Sequence, residues 1–239
     1  MTPPPLYTLS KELPKKTIEG LKKKLEVFDK RMEPIMLKIK EANAAAGVHY
    51  RRSLATGRCM FARNAIKRGT TLFVYFGDVV DAKAFAGTLT YTYGADITGN
   101  KKGEFFIDGK AREKGFMRHD WRFVNGIYIN HSCKGHNLKT EFVKEPKSGI
   151  WYVAFSTSRA IEAGEQLLSN YNEGKSKNKY WRLLRTLEVA GVPEERIVKC
   201  KCFTNKNRKG CPNTFAYDMA EMRAYGLDAK AKAAIEDNA

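Results

Sequence analysis

After Pro14 the apolar residues Ile18, Leu21, Leu25, Phe28 and Met32 step by three and four positions, the spacing that lines one face of an α-helix. The pattern predicts an amphipathic helix. Proline has no N–H to donate and its ring crowds the preceding turn, so Pro34 is expected to kink or end this helix. Ile35, Leu37 and Ile39 then continue in a second helical piece toward the Ala-rich EANAAAG. The stripe is too short to sustain a coiled coil and is expected to pack on the rest of the chain.

From about Arg51 the texture changes to short strands and turns. RCMFA, TLFVYFG, EFFIDG, LKTEFV and IWYVAFS are β-branched or aromatic runs bounded by Gly, Asp, Asn or Ser. No long helical pattern separates them, which argues against a parallel doubly wound sheet. The expected architecture is mainly β with α: several small sheets ending near Tyr171. KNKYWRLLRTLEVAG then reads as a helix closed by Gly191 and Pro193, followed by a cysteine cluster and an Ala-rich helical tail. Three segments result: a basic helical segment over 1–48, a β-rich domain over 49–172, and a helix, cysteine cluster and tail over 173–239.

Charge adds a partner class. Of 239 residues 43 are Lys or Arg and 26 Asp or Glu, a net +17, which favours a polyanion such as nucleic acid. Hydrophobic and aromatic contents of 43% and 11% are those of a folded globular chain. The opening MTPPPLYTLSKELPKK has no apolar core of signal-peptide length, and no uncharged apolar run is long enough to span a bilayer. The expectation is an intracellular protein with no membrane partner, whose five cysteines serve as metal ligands or buried thiols rather than disulfides.

CKCFTNKNRKGC places Cys200, Cys202 and Cys211 within twelve residues. Tetrahedral zinc takes four ligands and thiolates suit it, so one place stays open. Cys133, in NGIYINHSCKGHNL, is the natural candidate, leaving Cys59 as the spare thiol. Lys201, Arg208 and Lys209 beside the cluster favour the thiolate form.

INHSC at 129–133, AGEQLLSNY at 163–171, TGRCMFARNAIKRGTTLFVYFGDVV and the CxC tail together resemble the SET-domain protein lysine methyltransferases with a post-SET zinc element. The resemblance implies the SET fold: small β-sheets around a pseudoknot, where one motif is threaded beneath a loop of the other, against the general rule that chains avoid knots. It implies S-adenosylmethionine as cofactor and zinc as structural ion. Asn130, His131 and the backbone around Gly57, Arg58 and Cys59 would hold the cofactor, with Phe203 of the tail. Tyr171 and Tyr91 would line the channel and act at the transferring methyl, Tyr93 and Tyr128 being further wall or core candidates. Cys133, Cys200, Cys202 and Cys211 would bind the zinc.

The chain departs from the family pattern in places. Cys59 stands where a second glycine is usual, Ile127 where Arg is common, and Ser169 and Asn170 where an aromatic residue and Asp precede the motif tyrosine. That aromatic is the family's switch for methyl number, which Ser169 leaves open. The partners implied are a histone or other lysine-bearing protein, received by acidic residues such as Asp78, Asp81, Asp96 and Glu104, and nucleosomal DNA gripped by the basic surface. The location implied is chromatin in the nucleus. A catalytically weak SET-like module that binds chromatin or nucleic acid is the competing reading.

Overall fold

The computed structural model describes residues 3, 5–53, 57–81, 92–93, 97–98, 105–109, 121, 123–132, 135–170, 198–199 and 214–215. Helix α1 spans Lys15–Ala46. Pro14 opens it with φ −55°, and its carbonyl accepts from the amides of Thr17 and Ile18. Gly47 ends it in the left-handed conformation at φ 59°, where a side chain would also meet the Cβ of Arg63 at 2.9 Å.

Helix α1 is continuous through Pro34, not two pieces. Phe28, Met32, Met36 and Ile39 straddle the proline and are buried to 3% exposure or less. Each gains roughly 1.5–3 kcal/mol from burial, more in sum than the ~3 kcal/mol that an interior proline costs. Pro34 itself faces solvent, where water can satisfy the carbonyl its missing N–H leaves open. Leu37 is also exposed, so the buried stripe runs through Met36 and Ile39 to Asn43 and Ala46. Asn43 ties the helix to the sheet below, its amide donating to the Leu72 carbonyl at 2.6 Å.

One sheet contains β1 (Tyr7–Leu9), β5 (Gly77–Asp81), β6 (Thr92–Tyr93) and β7 (Phe105–Asp108) in the order β1-β5-β7-β6. β1, in a stretch whose periodicity signals nothing, pairs parallel to β5. The Tyr7 ring stacks on Phe28 at 5.7 Å, so strand and helix fix one another. A hairpin of β2 (His49–Ser53) and β3 (Gly57–Phe61) forms a two-stranded sheet of its own. The five-stranded sheet has the order β4-β10-β9-β11-β8, formed by β4 (Thr71–Val74), β8 (Asn130–His131), β9 (Leu138–Lys144), β10 (Trp151–Thr157) and β11 (Leu168–Ser169). Its centre is the regular antiparallel ladder of β9 and β10. Helix α1 packs over β4, and both contribute to one hydrophobic cluster with Phe73, Phe76 and Val153. Finally β12 (Val198–Lys199) and β13 (Thr214–Phe215) pair antiparallel.

Candidate active site

Two stretches distant in sequence meet at the edge of the five-stranded sheet. β11 pairs parallel with β8, Leu168 opposite Asn130 and Ser169 opposite His131, and on its other side with β9. The chain thus leaves β8 on one side of β11 and returns as β9 on the other, so residues 168–169 are threaded between two parts of one segment. The Ser132 amide donates to the Ser169 carbonyl at 2.9 Å, and the Asn137 amide to the Leu168 carbonyl at 3.0 Å.

Asn137 is the clasp of this junction. It is 1% exposed. Its side-chain oxygen accepts from the Leu168 amide at 2.9 Å, while its Nδ2 donates to the Gln166 carbonyl at 2.8 Å and to Glu165 Oε2 at 3.3 Å. The sequence reading passed over it. The available signal was an amide residue closing a short polar turn before a strand, where side chain to backbone bonds are common.

Glu165 extends the clasp outward. Arg159 grips it through both terminal nitrogens, at 3.0 and 2.6 Å, and the Glu162 amide donates to it at 2.7 Å. The Arg159 hydrogen bonds lead these contacts in holding its carboxyl down to about 2 from an ordinary 4.5. A depressed acid stabilises the fold above its unfolded value and loses that contribution as pH falls through its folded value. The loss here therefore falls between pH ~4.5 and ~2. With the Glu165 side chain 24% and the Arg159 side chain 51% exposed, solvent screening reduces it to about 1–2 kcal/mol. Urea unfolding from pH 6 to pH 3 should show an acid-side decline that is shallower in Glu165→Gln.

Next to the junction runs β3. The Leu167 amide donates to the Met60 carbonyl at 2.8 Å and the Ala62 amide to the Glu165 carbonyl at 3.0 Å. Asn130, half-buried, holds the start of β3: its Nδ2 donates to the Arg58 carbonyl at 2.8 Å and lies 3.3 Å from Cys59 Sγ. Arg58 is held at its other end too, since Nη1 donates to the Tyr128 hydroxyl at 2.8 Å and the guanidinium lies 5.1 Å from that ring's centre. Burial, with His136 alongside, lowers the His131 imidazole to about 4, so the ring is neutral near pH 7.

The backbone before β8 is shaped by NGIY. Asn125, fully buried, accepts from the amides of Phe76 and Ile127 at 3.2 and 3.3 Å and caps a 3-10 turn over Gly126–Tyr128. A side chain at Gly126 would lie 2.5 Å from the Phe155 ring, so only glycine allows this approach.

Of the residues singled out in the sequence, Gly57, Arg58, Cys59, Asn130 and His131 converge on this corner. Cys59 is buried, as is Tyr128, which is a core aromatic against Arg58 and, at 6.3 Å, Tyr50. Asp78 and Asp81 lie on β5, three residues apart, and so point to opposite faces of the other sheet. Tyr91, Asp96, Glu104, Cys133, Tyr171, Cys200, Cys202, Phe203 and Cys211 lie outside the described residues. β12 and β13 bring together the two ends of the stretch carrying Cys200, Cys202 and Cys211. Among the described residues no group of three metal-ligating side chains comes together. No described helix is long and apolar enough to cross a membrane.

A search of curated proteins finds no match. Two solved structures that align with the chain are crystal structures of KRYPTONITE, one in complex with mCHH DNA, H3(1-15) peptide and SAH, the other with mCHG DNA and SAH. Identities are 20% and 21%, the TM-score is 0.39 in each case, and each alignment covers 52% of this chain. The chain spans only 23% of those proteins' length. Residues 57–172, the span that holds β3, the threaded junction and the Asn137 clasp, match the family model described as SET domain, and the chain carries a SET domain there.

Proposed function

We propose that the chain is an S-adenosylmethionine-dependent protein lysine N-methyltransferase acting on a histone or another lysine-bearing protein of chromatin. The observation that carries this reading is the junction itself: within a SET domain, β11 of the second motif lies against Asn130 and His131 of the first, and Asn130 grips β3. Asn130, His131, Gly57, Arg58 and Cys59 would hold the cofactor from this side, and Tyr91, Tyr171 and Phe203 would complete its site. The donor set fits a cationic cofactor in that His131 is neutral and adds no positive charge beside Asn130. When bound, the cofactor supplies a methyl group on positively charged sulfur.

The substrate amine must first lose its proton. Lysine's ordinary pKa of about 10.4 makes the neutral form cost roughly 4–5 kcal/mol at pH 7. Desolvation in a narrow channel favours that form, as does a neighbouring positive charge, so no dedicated general base is needed. What remains is alignment. The Tyr171 hydroxyl would orient the methyl through weak CH···O contacts of about 0.5–1 kcal/mol each. Cys133, Cys200, Cys202 and Cys211 would bind one zinc ion, a reading supported by the adjacent ends of the cysteine-bearing stretch. DNA would be held by the basic surface, and the protein would then act at chromatin in the nucleus.

One observation favours a weaker catalyst. Cys59 stands where the family pattern has a glycine, with the Asn130 amide against its sulfur, and a side chain there would change the cofactor turn; a SET-like module that binds chromatin without methylating it is the second reading. Incubation with methyl-labelled S-adenosylmethionine and nucleosomes or free histones separates the two. The enzyme leaves label on lysine, reduced about fivefold to tenfold in Tyr171→Phe as one to two weak contacts are lost. Binding without label supports the module. In the same preparations elemental analysis should find one equivalent of zinc in the wild type and none in Cys133→Ser.

A further inference from the structure

Six cations of α1 gather along one arc of its exposed side. Lys16, Lys23 and Lys30 recur every seven residues, as do Lys24, Arg31 and Lys38. Seven residues are nearly two helical turns, so each set forms a row along the helix, drifting only ~20° per repeat. Between the two rows run Gly20, Val27 and Pro34, with Glu41 the only acid of that strip, at its C-terminal end. The acids Glu19, Glu26 and Glu33 form a row directly beside Lys16, Lys23 and Lys30, each three or four residues from a lysine of that row. All six cations are exposed. Arg31 lies 3.7 Å from Glu145 yet keeps 61% of its side chain in solvent. Among the described residues, none of the five lysines has an ion pair. Opposite charges three or four residues apart stabilise one another, so Glu19, Glu26 and Glu33 partly offset the first row, whereas Lys24 and Arg31 have no acid three or four residues away on the helix. Across the two rows and the strip between them six cations stand against one acid, an excess that a polyanion would neutralise.

We infer that this two-row cationic face of α1 is a docking surface for the sugar–phosphate backbone of duplex nucleic acid. From Lys16 to Lys38 the face is roughly 33 Å long at ~1.5 Å per residue, close to the ~34 Å of one turn of B-form duplex. Five of its six cations are lysines, point charges that neutralise phosphates without the planar fork that reads guanine. Binding is therefore sequence-independent. The strip between the rows offers Val27 alone as an exposed large apolar side chain, too little to insert into a lipid surface. The inference deepens the DNA-partner reading and is independent of methyl transfer.

The test uses the full-length protein, two unrelated 20-base-pair duplexes and two charge-matched variants. In Lys23→Gln/Lys24→Gln/Lys30→Gln, affinity for both duplexes should fall roughly 10- to 100-fold at 0.1 M salt. The slope of log affinity against log salt should flatten by about 2–3, near 0.9 per lost phosphate contact. Lys11→Gln/Lys15→Gln/Lys22→Gln, which leaves the rows intact, should bind within about threefold of wild type. Equal losses in both variants, or a larger loss in the second, overturns this face while leaving DNA binding standing. No salt-dependent binding by the wild type overturns both the face and the DNA partner. Stronger binding to phosphatidylserine vesicles that duplex does not displace also overturns it. Unchanged thermal midpoints in both variants show that the readout is binding rather than folding.

Discussion

Asn137→Ala is expected to lower the stability of the folded chain by about 3–5 kcal/mol, the largest stability loss available to any single polar residue at the junction. The wild-type side chain answers the Leu168 N–H and the Gln166 carbonyl at 2.9 and 2.8 Å in a site 1% open to solvent. Truncation leaves both part-buried groups without partners at ~1–3 kcal/mol apiece, and it removes the link to Glu165. No water can be assumed to replace the amide in so closed a site. Because Leu168 is the residue that pairs with Asn130, loosening it loosens the threading. Urea denaturation should therefore show an earlier midpoint together with weaker cofactor binding. A wild-type midpoint would mean that the strand pairing holds β11 in place without the clasp.

How much of this could be read from the sequence depends on which forces are local. The helical stripe from Ile18 to Met32 was legible because each position reports its own face every three or four residues. So were the strands, since β3, β4, β7, β9 and β10 fall on the apolar runs quoted for them. Pro34 misled because its cost is local, whereas the burial of Met36 and Ile39 that outweighs it is tertiary. β1 was invisible for the same reason: a three-residue strand has too few positions to show a period, and its pairing with β5 is fixed by Tyr7 against Phe28. Asn130 and His131 stood out only by resemblance. Asn137, six residues beyond His131, lacked any catalytic look, and its importance exists only once Leu168 is beside it. The pairing of the α1 cations into rows needed the buried face to be known, because only then is it clear which rows meet solvent.

Asn130→Ala should have the opposite profile, sparing the fold and damaging the cofactor site. Asn130 is only half-buried, so water can take over the Arg58 carbonyl that its amide now holds at 2.8 Å. The cost in stability is then within about 1 kcal/mol. What is lost is the fixed position of the Arg58–Cys59 backbone, which the amide sets from one end while Tyr128 sets the Arg58 side chain from the other. Alignment of reacting atoms tolerates little error, and displacement by about 1 Å can cost ~100-fold in rate. S-adenosylmethionine should accordingly bind about 10- to 100-fold more weakly by calorimetry, with a comparable fall in kcat/KM, while the thermal midpoint of the cofactor-free protein moves by no more than a few degrees. Asn130→Asp should be no better, since a carboxylate oxygen cannot donate to the carbonyl. Cofactor affinity equal to wild type in Asn130→Ala, with the midpoint also unchanged, would remove Asn130 from the cofactor site and leave the junction a structural feature alone. Weak binding with an intact midpoint would separate this residue from Asn137, whose loss takes fold and site together.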